Sequence, residues 1–117
     1  MITVYTLAQC STCRDATTWL RAHRIQFVEK PIRETPPTPA ELRAMLVHQR
    51  GELRRLFNSS GMEYRALGMK EKLPAMTEAE ALALLASNGS LVKRPFLIGA
   101  KIGLVGFDAA KWSAALT

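Results

Sequence analysis

The chain has 117 residues, 48% of them hydrophobic, and a formal net charge of +6 from 16 basic against 10 acidic side chains. That length suits a single core, so residues 1–117 are expected to form one domain. No apolar run approaches the roughly 18 residues of a membrane span, and the N-terminal MITVYTL lacks the basic flank and long apolar core of a signal peptide, so a cytoplasmic protein is expected.

Two cysteines are too few for a disulfide scaffold in a chain of this length. The basic residues are spread from Arg14 to Lys111 rather than gathered in a tail. Scattered positive charge reads as a solvated surface whose field favours anionic partners, whether an oxyanion, glutathione, an acidic protein face or nucleic acid, without choosing among them.

Ile2, Val4 and Thr6 alternate with Thr3 and Tyr5, which predicts a strand over residues 2–6 leading into AQCSTCRDA. Ala16, Trp19, Leu20 and Ala22 recur at near-helical spacing and predict a helix from about Thr12 to Arg24, followed by a β-prone run over Ile25 to Val28. Lys30 to Pro39 holds four of the six prolines and reads as a loop, since proline lacks the N–H that a ladder or helix interior needs. In TPAE, Thr38 can cap, Pro39 suits the first helical position and Glu41 can close a capping box, starting a helix that runs to about Gln49. Leu53 to Phe57 and Tyr64 to Met69 read as short helical turns around the NSSG loop. TEAE at Thr77 to Glu80 repeats the capping box ahead of a helix ending at Asn88-Gly89. Phe96 to Ile98 and Ile102 to Val105 predict a hairpin whose loop, Gly99-Ala100-Lys101, needs glycine. Asp108 can cap a last helix that turns Trp112 and Leu116 toward the sheet. The order is β-α-β, a helical block, then β-β-α, with no internal repeat, low-complexity segment or linker.

The chemistry concentrates at residues 10 to 14. A helix N-terminus presents unpaired N–H groups and about half a positive charge, so a cysteine there is favoured as thiolate, the attacking form. Cys10 takes that position, Cys13 lies one turn on where it can resolve a mixed disulfide, and Ser11, Thr12 and Arg14 add donors and charge. A structural zinc site wants about four Cys or His ligands. Beyond this pair the chain offers only His23 and His48, outside any paired-ligand spacing, and no metal is expected. A pair of inert buried thiols is the plain alternative, because free cysteine is among the most buried residue types. Placement in a strand-to-helix loop favours the redox reading, as in thioredoxin-like folds. In LVKRPFLIG, Pro95 at a strand start can carry a cis bond, which would aim Arg94 at an anion; an ordinary surface arginine is the alternative.

CSTCRDATTWL, IRETPPTPAEL, FNSSGMEYRALG, LVKRPFL and LVGF, in that order and along nearly the whole chain, resemble the arsenate reductase (ArsC)/Spx superfamily. The overall pattern looks most like its small arsenate-reductase-like bacterial members. The resemblance implies an α/β thioredoxin-like fold with a mixed sheet, a helical block inserted between its halves, and a cis Pro95 facing Cys10. It makes Cys10 the counterpart of the catalytic cysteine of glutaredoxin-coupled arsenate reductases and Arg94 the counterpart of one of three arginines that bind their oxyanion. The other two fall at Asn58 and near Phe107, neither of which supplies a guanidinium. Cys13 is shared with Spx-type redox switches, which bind RNA polymerase. The implied activity is a thiol-disulfide oxidoreductase with no bound cofactor, coupled to glutathione or glutaredoxin and acting as a monomer. The implied alternative is a redox-switch regulator on RNA polymerase, without direct DNA binding. Cys10, Cys13 and Arg94 are the expected catalytic residues, with Ser11, Thr12, Arg14, Asn58 and Pro95 at the substrate.

Overall fold

The computed structural model describes residues 1–117. Strand β1 (Ile2–Thr6) leads into helix α1 (Ser11–Ala22), and strand β2 (Phe27–Pro31) returns parallel to β1. The helical block follows as α2 (Pro39–His48), α3 (Met62–Ala66), α4 (Met69–Lys72) and α5 (Glu78–Ser87), with 3₁₀ turns at Leu53–Leu56, Leu73–Ala75 and Gly89–Leu91. Strands β3 (Phe96–Ile98) and β4 (Gly103–Val105) and helix α6 (Ala109–Leu116) complete the chain. The sheet order is β2-β1-β3-β4, with β3 antiparallel to both β1 and β4.

Strand β1 is central, and its alternation divides the core. Val4 faces Leu97, Ala16, Leu20 and Trp112, so α1 and α6 cover that side. Tyr5 faces the other way, into the larger cluster formed with α2, α5 and the turns between them. Both capping boxes form: Thr38 Oγ1 accepts from the Glu41 N–H at 3.1 Å, and Thr77 Oγ1 from the Glu80 N–H at 3.1 Å, each glutamate returning a bond to its cap backbone. Asp108 caps α6, whose Trp112 is buried and donates its indole N–H to the Gly106 carbonyl at 3.1 Å.

Several boundaries differ from the sequence expectation, among them α1, which spans Ser11–Ala22, and β4, which begins at Gly103. Strand β2 starts at Phe27, because Ile25 still donates to Leu20 at the end of α1 and Arg24 takes a left-handed φ of 57°. It also runs into Pro31, which pairs with Thr6; β2 is an edge strand, where a missing N–H is tolerated. The turn expected at Tyr64 to Met69 is two helices, separated where Gly68 adopts φ 65°. Gly89 and Gly99 serve close approach rather than positive φ. A Cβ at Gly89 would stand 1.8 Å from the Ile32 carbonyl oxygen, and one at Gly99 would stand 2.8 Å from Ile2 Cγ2.

Candidate active site

Cys10 is the N-cap of α1, half-buried, with its backbone N–H donated to the Leu7 carbonyl at 3.1 Å. Its Sγ accepts the Cys13 backbone N–H at 3.1 Å, so the thiol itself caps the helix. No acidic side chain occupies the first turn of α1 to offset the helix's positive end. Both cysteines are free, and Cys13 is buried behind Cys10. Burial, then the hydrogen bond with Cys10, pushes the Cys13 thiol up to about 12, against opposing pulls from a Leu7 backbone hydrogen bond and from Arg94. At neutral pH Cys13 is therefore a protonated, covered thiol, and Cys10 is the one a reagent meets.

Cys10 opens into a cavity of about 920 Å³. Of the residues singled out from sequence, Cys10, Ser11, Thr12, Asn58 and Arg94 line it. Three do not. Cys13 lies beneath the surface; Arg14, on the exposed side of α1, points its guanidinium at the Ala8 carbonyl, 3.5 Å away; and Pro95 is buried. The Arg94–Pro95 bond is cis, as the resemblance implied. Arg94 itself is half-buried and donates to the Ser90 carbonyl at 3.3 Å. Phe107, where the resemblance placed a missing arginine, also lines the cavity and stacks edge-on against Trp112 at 5.0 Å between ring centroids.

Sequence reasoning missed the other cations of the cavity. Arg54 and Arg55, on the 3₁₀ turn, together with Lys93 and Lys111, give the cavity cations beyond Arg94. No short motif joins these positions. The signal was the LRRL turn just before FNSSG, a pair of adjacent arginines beside a segment already assigned to the site. No three His, Cys, Asp or Glu side chains converge as a metal-holding group, and no helix is long and apolar enough to cross a membrane.

A free thiol at a helix head, backed by a buried second cysteine and a cis-proline loop, sits in a chain whose residues 5–115 match the ArsC family profile. The chain belongs to the ArsC family. YusI of Bacillus subtilis (strain 168), an uncharacterised protein, is 44% identical over 106 residues, covering 91% of this chain and 90% of its own. The global transcriptional regulator Spx of Enterococcus faecalis is 32% identical, over 92% of this chain and 80% of its own. Among solved structures, one described as a possible arsenate reductase from Streptococcus mutans UA159 superposes with a TM-score of 0.90 at 37% identity, covering 99% of this chain and 98% of that one. The ArsC-family fold seen here is thioredoxin-like, with the helical block inserted between its halves.

Proposed function

We propose that this ArsC-family chain is a cytoplasmic, monomeric, single-domain thiol-disulfide oxidoreductase, with Cys10 as nucleophile, Cys13 as resolving thiol, and glutathione or glutaredoxin as the thiol partner. The observation that carries the reading is the asymmetry of the pair: Cys10 faces a basic cavity, while Cys13 is covered and held as a thiol directly behind it. Such a pair supports attack by one sulfur and resolution by the other. Arg94, with Ser11, Thr12 and Asn58 on the same cavity, supplies donors for the bound partner. Pro95 and Arg14 act by position, Pro95 by shaping the Arg94 loop and Arg14 by holding the Ala8 carbonyl ahead of the cysteine.

Arsenate is a poor substrate on this reading, because Asn58 and Phe107 offer no guanidinium fork where the resemblance expects two. A second reading is favoured by relatives named as a global transcriptional regulator and a regulatory protein: a Cys10–Cys13 disulfide that reshapes a surface bound by RNA polymerase, without direct contact to DNA. A glutathione-coupled reductase assay and a pull-down against RNA polymerase, run on one preparation, separate the two. Turnover lost in the Cys10→Ser variant supports the enzyme. Redox-dependent capture of polymerase with no turnover supports the regulator.

A further inference from the structure

The cavity is far larger than a sulfur atom or an oxyanion requires; about 920 Å³ lies within the size range of sites for whole small molecules. Its charges are unevenly used. Glu52 is taken by Arg55, with Nε and Oε2 2.7 Å apart. Asp108 is turned to the head of α6, where it accepts the Lys111 backbone N–H at 3.1 Å. Arg94 lies next to the cysteines and bonds the Ser90 carbonyl. That leaves Arg54, Lys93 and Lys111 lining the cavity with no carboxylate in an ion pair to any of them.

These three come from separate elements, the first 3₁₀ turn, the lead into β3, and the first turn of α6, yet they are tied together. Lys93 donates its N–H to the carbonyl of Leu56, the last residue of the turn that carries Arg54, at 2.8 Å. Its side chain crosses Gly106, with Cε 3.3 Å from where a Cβ would stand there, so its ammonium is carried toward the β4–α6 corner that holds Lys111.

We propose that Arg54, Lys93 and Lys111 form a specificity wall that selects a disulfide whose non-reacting part is anionic, bearing carboxylates. The inference rests on the thiol-exchange reading of Cys10. The Cys10 thiolate attacks one sulfur of the bound disulfide, the S–S bond breaks, and a Cys10–S–S–R bond forms. The other half leaves as a thiolate that takes a proton from solvent. Cys13 then gives up its proton and attacks Cys10 sulfur, releasing the second half as a thiol. The substrate disulfide has gained two electrons, and the protein holds a Cys10–Cys13 disulfide. The wall touches none of these atoms. It holds the remote anionic part, so that binding energy away from the sulfur positions the bond to be broken, and its field raises the encounter rate.

The test uses the full chain and three small disulfides of similar size: dithiodipropionate, which is dianionic, neutral hydroxyethyl disulfide, and dicationic cystamine. Rates of mixed-disulfide formation at Cys10 in the Cys13→Ser variant are followed by intact mass and divided by the rates of a small free thiol with the same probes. The expected order is dianion, neutral, dication, spanning roughly tenfold or more at low salt and shrinking as salt rises. Adding Arg54→Gln, Lys93→Gln and Lys111→Gln together collapses the span. Replacing Arg43, Lys70 and Lys72 by Gln removes the same charge outside the cavity and preserves it. Reading a ratio cancels any general loss of folded protein. Fast exchange with no charge order, or an order that survives the wall variant or falls equally in the control, overturns the wall and leaves the exchange reading standing. No exchange with any probe brings down both.

Discussion

The cavity has two walls of different construction. The near wall is one stretch of chain, the Cys10 loop and the first turn of α1, anchored by a central strand that is buried on both faces. The far wall is assembled from a 3₁₀ turn, the Asn58 loop, the segment before β3 and the head of α6. It is stitched by a few backbone bonds: Asn58 N–H to the Leu91 carbonyl at 2.7 Å, Lys93 to Leu56, and the bridge between Phe57 and Val92. The residues proposed for the chemistry stand on one strand-to-helix stretch, and those proposed for selectivity stand on short turns and element ends brought together from separate parts of the chain.

The largest expected effect breaks the near wall. Cys10→Ser should abolish mixed-disulfide formation with glutathione disulfide, whereas Cys13→Ser should form the adduct and hold it. Intact-mass spectra after graded oxidation read both outcomes. A Cys13→Ser protein that releases its adduct as fast as the native chain would falsify the resolving role.

Stability is expected to concentrate at the joints behind the walls. Trp112 is buried against Val4, Leu20 and Leu97, so Trp112→Ala should cost about 3–5 kcal/mol. Gly89→Ala should be of similar severity, since its Cβ would meet backbone of the Ile32 segment that cannot give way as a side chain could. Urea unfolding measures each. A Gly89→Ala midpoint equal to the native one would mean that the two backbones can separate at no cost.

An alkaline limit follows from the same core. Cys13 is pushed up to about 12 by burial. Tyr5 is raised above the usual tyrosine range by burial and by the hydrogen bond its hydroxyl donates to Glu41 Oε1 at 2.6 Å. Both groups are neutral in the folded state and ionise more readily in the unfolded chain. Their contribution is therefore complete below the unfolded values, about 8.5 for a thiol and about 10 for a phenol, and is lost as pH rises through the folded ones. The urea midpoint should fall from about pH 8.5 upward, and less steeply in Cys13→Ser. A midpoint flat to about pH 11 would contradict the burial of both groups.

The contrast between the walls also explains what could be read from the sequence. Strand β1, both capping boxes, the hairpin and the CxxC at a helix head are local patterns, and each formed where its residues stand. The cis Arg94–Pro95 bond was expected from the strand-entry position of Pro95 together with the family resemblance, since the local position permits a cis bond without requiring one. The convergence of Arg54, Lys93 and Lys111 was illegible, because it depends on how the helical block docks on the sheet and no periodicity encodes that. Arg14 is the converse case: its place in the motif suggested a role at the substrate, and its position on the exposed side of α1 directs its guanidinium to the Ala8 carbonyl, outside the cavity lining. Glycine was read for turns, and Gly89 and Gly99 are needed for the close passage of other chain segments, which only the packed fold reveals.

The smallest expected effect lies outside both walls, at the head of α5. Thr77 caps that helix, and Glu80 returns a 2.8 Å bond to the Thr77 backbone N–H. That backbone bond, with the Thr77 side chain adding to it, holds the Glu80 carboxyl below the usual glutamate range. A folded-state value below the unfolded one gives stability that is present above about pH 4.3 and lost as pH falls through the folded value. Losing the Thr77 cap in Thr77→Ala should cost about 1 kcal/mol near neutral pH, and the variant should show part of the acid sensitivity removed. Cys10 exchange rates should not change, because α5 has no residue on the cavity. Urea midpoints of the native and Thr77→Ala proteins, compared at about pH 7 and about pH 3.5, check it. A gap between the two proteins that widens as pH falls would show that the cap bond acts with the opposite sign, and a change in Cys10 reactivity would show that the helical block and the thiol are coupled.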